Sequence, residues 1–561
     1  MTFSRSLSHF ILIISFCFPL GTTIVSAQVS PVKEFTHADS LRGSNTAERA
    51  WWDVLHYDIT VEPDFTSKSI TGICRIHYIT LLQKHPDSLQ LDLQEPMQID
   101  SILVKNNPVA FRREGNAFHV KMPLSVERDT GSLSIYFHGK PRQAVKPPWD
   151  GGWIWKSDRE GNPWMTVACQ GLGASVWYPC KDIQSDEPDS GAKLRIIVPD
   201  SLNGIGNGRL VETLKIKDGK TMYCWKVMNP INNYNIVPYI GKYVHFGEGY
   251  AGEKGKLDMD YWVLGYNLDK AKKQFTEAGR MMKAFEYWFG PYPFYEDGYK
   301  LIETPHLGME HQGAIAYGNQ FKNGYLGRDL SSSGWGLKWD FIIVHESGHE
   351  WFANNITTND IADMWVHESF TNYSETLFTD FYFGHDAGND YVTGTRTNIS
   401  NDVPIIGRYG VNNEGSGDMY YKGGNMLHYI RQVIADDEKF RMILRGLNHQ
   451  FYHKTVDTKE IEQYISKKSG HNFSSLFDQY LRSVKIPLLE YRFIKNRLSY
   501  RWKKESLVAG FNMPVKVHVG SSSVWLKPGI KWKTLKTPVI QDEQLFSVDK
   551  NFYIRSEKVI E

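Results

Sequence analysis

Val344-His345-Glu346-Ser347-Gly348-His349-Glu350-Trp351, followed later by Trp365-Val366-His367-Glu368-Ser369-Phe370, is the stretch on which the reading of this 561-residue chain turns. His345 and His349 are four residues apart, so on a helix they stand one turn apart on one face. Two imidazoles in that arrangement can share one zinc ion, and Glu346 projects near enough to handle a water there without being a ligand. A structural zinc needs four closed protein ligands; a catalytic one takes three and keeps a position open. Glu368, with eighteen residues between it and His349, is read as the third ligand, returned to the metal by a helix, a turn and a second helix. Leu337, Phe341 and Val344 give an apolar stripe leading into the motif, as a core-facing helix requires. The bland alternative is a half-buried helix with hydrogen-bonded histidines. The motif together with an acidic residue at that distance is too rare by chance to favour it.

These residues resemble the zinc aminopeptidases of the aminopeptidase N and leukotriene hydrolase type. The likeness takes in Trp351-Phe352-Ala353-Asn354-Asn355, Asp363-Met364-Trp365 and the run from Glu368 to Glu375. It continues at Gly308-Met309-Glu310 and at Tyr420-Tyr421-Lys422-Gly423, and extends from about residue 51 to about 487. It implies an α+β multidomain fold: an N-terminal β saddle domain, a thermolysin-like and mainly helical catalytic domain, and a small C-terminal β domain. It also implies one zinc ion per chain and peptide substrates with a free N-terminus. Glu346 becomes the general base, and Tyr420 the donor to the oxyanion that forms during attack. Glu310, with Gly308 and Met309 beside it, takes the place of the family's amine-binding strand, although Leu307 and His311 depart from the family pattern. Gln170, ahead of Pro179-Cys180-Lys181-Asp182, matches a substrate-contacting position; Ala168 stands where the family has another Gln. An epoxide-hydrolase side activity, known in the family, has no separate signature here.

The motif His-Glu-x-x-His alone does not separate an exopeptidase from an endopeptidase; Glu310 is the feature that discriminates. A non-catalytic, β-rich binding protein is disfavoured because His345, Glu346, His349, Glu368 and Tyr420 are all present. Glu375, about two turns beyond Glu368, reads either as a carboxylate orienting a ligand or as a solvated helix residue. His306, His311 and His367 read as hydrogen-bonded histidines or as groups supporting a ligand from behind, and not as further ligands.

Around this centre the chain divides by pattern. Residues 1–27 have the form of an export signal: Arg5, an apolar run from Phe10 to Leu20, and Val25-Ser26-Ala27 as a cleavage site, with an uncleaved anchor as the alternative. A periplasmic or secreted protein is expected. Formal net charge is +1, and removing Arg5 with the signal brings it to zero, which argues for neither nucleic acid nor an anionic membrane as partner. No stable membrane insertion is expected. Residues 28–248 alternate as β strands do, at Tyr57, Ile59 and Val61, at Leu89, Leu91 and Leu93, and at Leu133, Ile135 and Phe137. Residues 249–486 turn helical, with Ala271, Phe275, Ala278, Met281, Met282 and Phe285 near a 3.6 period. Residues 487–561 return to β-type runs such as Val515 to Val519. Cys169 and Cys180 bracket a short loop and are either bridged or two buried thiols.

Overall fold

The computed structural model describes residues 34–82, 85–122, 130–494, 497–536 and 546–560. The segment read as an export signal lies outside them. Among the described residues no helix is long and apolar enough to cross a membrane.

The N-terminal region is a large sheet with two smaller ones beside it. In the large sheet the strand Trp52–Asp64 pairs antiparallel with Ser69–Thr80 on one side and parallel with Ala192–Pro199 on the other. The residues that alternate in the sequence, Tyr57, Ile59, Val61, Leu133 and Ile135, are fully buried in one core. Period-two patterning here means what it should: one face of each strand inward. A four-stranded sheet carries the hairpin Gly152–Ser157 and Pro163–Ala168, whose end at Ala168 launches the loop containing Gln170.

The expected boundary after residue 248 falls inside the strand Tyr243–Gly252, which forms a long hairpin with Gly255–Leu264. That hairpin begins a five-stranded sheet continuing through Tyr299–Glu303 and Ile315–Tyr317 to the edge strand Gly308–Met309. Helix Thr276–Phe289 packs nearby, burying Ala278, Met281, Met282 and Phe285 as the 3.6 period requires. Helices Trp365–Phe383, Tyr421–Ile434, Asp437–Gln450, Thr458–Ser469 and Ser474–Leu481 complete this region. Asp457 caps Thr458–Ser469 through a capping box with Glu460.

The C-terminal strands form a four-stranded and a three-stranded sheet. Their interior, including Leu489, Trp502, Val517 and Phe552, is continuous with the helical core. The Tyr429 ring stands 4.9 Å from that of Phe552, and its hydroxyl donates to the Pro514 carbonyl at 3.0 Å. This module is therefore fused to the helices by packing.

The four cysteines of the described residues are free and buried, so Cys169 and Cys180 are two thiols and not a bridge. Cys169 Sγ donates to the Tyr234 carbonyl at 3.5 Å, while Cys180 pairs through its backbone with Asp92. Burial pushes both thiols well above the ordinary range, which leaves them unreactive packing groups.

Candidate metal centre and active site

The helix carrying His345 runs from Phe341 to Gly348. It starts where Asp340 accepts hydrogen bonds from the Ile342 and Ile343 amides at 3.1 and 3.3 Å. Asp340 also accepts from the Tyr317 hydroxyl and the Asn319 amide, both at 2.8 Å, so the helix start is tied to the sheet. Leu337 lies before this cap, in a separate short turn, and is 44% exposed; the apolar stripe begins at Phe341 and not at Leu337.

His349 closes the helix, and the chain then kinks at Phe352 and Ala353, the latter with φ 147°. The kink turns the Phe352 carbonyl back to within 3.2 Å of His349 Nδ1. On the neighbouring helix Trp365–Phe383, Glu375 accepts from His345 Nδ1 at 2.7 Å. Asn372 donates to the same carboxylate at 3.1 Å and Tyr391 at 2.6 Å. Glu375 is fully buried, so the orienting role and not the solvated one describes it.

Two glycines let these helices close. A Cβ on Gly348 would sit 2.6 Å from Ser374 Oγ, and one on Gly423 would sit 1.8 Å from Ser369 Oγ. The first contact brings the helix of Glu368 against that of His345. The second brings the helix headed by Tyr420 against that of Glu368.

With both Nδ1 atoms engaged elsewhere, the two Nε2 atoms face a common centre. Glu368 Oε2 lies 3.8 Å from His345 Nε2 and 3.5 Å from His349 Nε2. It is buried and has no hydrogen-bond partner. A tetrahedral zinc with bonds of about 2.0–2.1 Å holds its donor atoms roughly 3.3 Å apart. The spacing, the orphaned oxygen and the neutral-nitrogen-plus-carboxylate donor set all fit that ion. Burial holds the His349 imidazole well below its usual range, which keeps its lone pair available. On His345 burial acts in the same sense, but the Glu375 hydrogen bond and the neighbouring carboxylates outweigh it and raise the group to about 9. Protons thus compete with a metal there.

Glu310, Glu346 and His349 form a second cluster whose ligand atoms lie within 4.8 Å of one another. Burial pushes Glu346 up to about 8, against the pull of His345. Gly308 is the residue that lets Glu346 in: a Cβ there would meet Glu346 Oε1 at 2.7 Å. Burial also raises Glu310, whose Oε1 accepts from the Tyr234 hydroxyl at 3.1 Å. The Glu310 carbonyl accepts from Asn354 at 2.9 Å. Asn354 stands in the run Trp351 to Asn355 that carries the family resemblance, whereas Tyr234 has no sequence signal of its own and is found only through its contact across the fold.

The Tyr420 hydroxyl lies against Glu368, and its ring is stacked 6.1 Å from that of His345. Met309 is buried on the edge strand behind Glu310. Gln170 sits in a loop whose Gly171 carbonyl accepts from Asn412 at 2.9 Å, and its own Nε2 is buried without a partner. His367 accepts from the Thr358 amide at 3.0 Å and His311 Nδ1 meets the Tyr239 hydroxyl at 2.5 Å, as hydrogen-bonded histidines should. His306 differs, since both its ring nitrogens are buried without a hydrogen-bond partner, and none of the three joins a metal cluster among the described residues.

Comparison with known proteins agrees with this geometry. Residues 273–480 match the model of the Peptidase family M1 domain. Leukotriene A-4 hydrolase of Xenopus laevis is 23% identical over 450 residues, covering 75% of this chain and 69% of the relative. A probable aminopeptidase 2 of Sulfurisphaera tokodaii is 21% identical over 434 residues, covering 73% of this chain. This chain spans about half the length of that archaeal relative, 52%. An M1 zinc metallopeptidase from Deinococcus radiodurans, solved with a Tyr-Ser-Ala substrate, superposes with a TM-score of 0.65 at 18% identity. That match covers 78% of this chain and 96% of the solved one, and the likeness is one of fold.

Proposed function

We propose that this chain, whose residues 273–480 match the Peptidase family M1 domain, is a zinc aminopeptidase releasing residues one at a time from the free N-terminus of peptides. The observation that carries this reading is the placement of Glu310. Its carboxylate lies within 4.8 Å of Glu346 and His349, at the edge of the centre formed by His345, His349 and Glu368. In an α-amino acyl unit the amine nitrogen and the carbonyl carbon are only about 2.5 Å apart. A carboxylate that close to the reacting position accommodates the first residue's amine and leaves no room for a preceding residue.

A zinc ion held by His345, His349 and Glu368 would polarise the scissile carbonyl and acidify the attacking water. Glu346, buried beside these ligands, takes the proton from that water and passes it to the leaving amine. The Tyr420 hydroxyl, close to Glu368, donates to the oxygen on which negative charge develops. Glu310 binds the substrate ammonium, with Tyr234 and Asn354 fixing its direction. Because Gly308–Met309 is an edge strand, its free side offers backbone hydrogen bonds to an extended substrate. Gln170, with an unpartnered buried amide, is a further substrate contact.

The activity is placed outside the cytoplasm on the strength of residues 1–27, which N-terminal sequencing of the mature protein would test. The enzymatic proposal is tested by a panel of single-residue amide substrates, with chelator and then with zinc restored. Chelation should abolish release and zinc should restore it; chelator-resistant turnover would refute the assignment.

A further inference from the structure

A cavity lined by no residue of the metal centre lies between the C-terminal end of helix Thr276–Phe289 and the helices Asp437–Gln450 and Thr458–Ser469. Its volume is about 760 Å³. The interior is apolar: Phe289 and Ile443 are buried in it, with Pro291 and Tyr464 beside them. Lys254, Lys439, Arg445, His449 and Lys468 also line it, and no carboxylate does. The ion pairs on this face engage Arg445 with Glu253 and Arg441 with Glu438. Lys254, Lys439 and Lys468 are left with no carboxylate partner among the described residues. Lys439 donates to the Ser469 carbonyl at 2.6 Å, Lys254 lies over the Tyr452 ring and Lys468 over that of Tyr464. The walls are fixed, since Asn355 donates to Asn448 at 3.0 Å and Arg445 meets Glu253 at 2.7 Å.

We propose that this cavity is a binding site for an amphiphilic anion, an apolar chain or ring bearing a single carboxylate or sulfonate head. The apolar interior is wide enough for such a body. Three ammonium groups without counter-charges set the sign of the head, because an anion placed among them gains attraction from each while a cation is repelled.

Decanoate titrated into the full-length protein, followed calorimetrically, tests the proposal. One site per chain is expected, with decanol at least tenfold weaker and decyltrimethylammonium not bound. The double variant Lys439→Glu/Lys468→Glu should weaken decanoate by tenfold or more, while Lys439→Arg/Lys468→Arg should keep wild-type affinity. Met442, 55% exposed in the wall, gives an independent variant that removes no lysine: Met442→Glu should also weaken decanoate by tenfold or more. Melting curves of the unliganded variants keep loss of binding distinct from loss of fold. Equal binding of decanol and decanoate, or undiminished decanoate binding by folded charge-reversed variants, would overturn it.

Discussion

Glu375 offers the sharpest perturbation of the centre, because it touches a proposed ligand and nothing else that would touch substrate. Its Oε1 accepts from His345 Nδ1 at 2.7 Å and from Asn372 at 3.1 Å, and its Oε2 accepts from Tyr391 at 2.6 Å. Glu375→Gln removes the charge but can keep the amide oxygen as acceptor to His345 and Asn372, with its amide nitrogen now donating to the Tyr391 hydroxyl in place of the bond that hydroxyl donated. Glu375→Leu removes charge and acceptors together, leaving the imidazole N–H and the Asn372 amide unpaired in a buried site. Partners of this kind contribute about 10–100-fold to metal affinity. Glutamine should therefore raise the zinc dissociation constant about tenfold, near 1.4 kcal/mol, and leucine about a hundredfold, near 2.7 kcal/mol. Competition with a chromogenic chelator measures both. With zinc saturating, kcat for the glutamine variant should stay within about tenfold of wild type. Unchanged zinc affinity in both variants would refute the claim that Glu375 orients His345 for a metal.

Three further outcomes are expected. Glu346→Gln should retain zinc, measured by elemental analysis, while turnover falls by several orders of magnitude; loss of zinc would mean that base and ligand have been exchanged. Tyr420→Phe should lower kcat by about 10²–10³ with little change in substrate affinity, and Tyr421→Phe should be nearly silent in the same assay. Glu277 is raised to about 7 by burial, despite its ion pair with Arg280, and its Oε1 has no partner. The folded chain therefore holds a proton that the unfolded chain releases near 4.5, and stability falls as pH rises from there to about 7. Glu277→Gln should remove that loss, stabilising the protein by on the order of 1–3 kcal/mol at pH 8 and by little at pH 4, as read from urea melts.

Much of the centre was legible because its information is local. His345 and His349 are one helical turn apart whatever surrounds them, and Glu368 lies on the next helix in the chain. The role of Glu375 stayed open in the sequence because its decision rests on Tyr391 and Asn372 and on how closely two helices approach. That approach depends on Gly348 and Gly423, whose missing side chains leave no pattern. The kink at Phe352 and Ala353, which aims a carbonyl at His349, follows no periodicity either. Tyr234 reaches Glu310 from 76 positions away, so only the assembled fold reveals it. The same reasoning explains the cysteines. Two thiols around a short loop look like a bridge in one dimension, but Cys169 is directed to the Tyr234 carbonyl and Cys180 is held in place beside Asp92. The strand patterns were reliable where one face is buried. The boundary after residue 248 was harder to place, because the hairpin from Tyr243 to Leu264 continues β structure into the region expected to be helical.

The account rests on Glu310 receiving a charged amine beside the metal centre. The most direct measurement compares one apolar-headed pentapeptide with its N-acetylated form, following products by mass spectrometry. The free peptide should lose residues singly and in order from its N-terminus, and the acetylated one should remain intact. Cleavage of the acetylated peptide at an internal bond would contradict the account and establish an endopeptidase in its place.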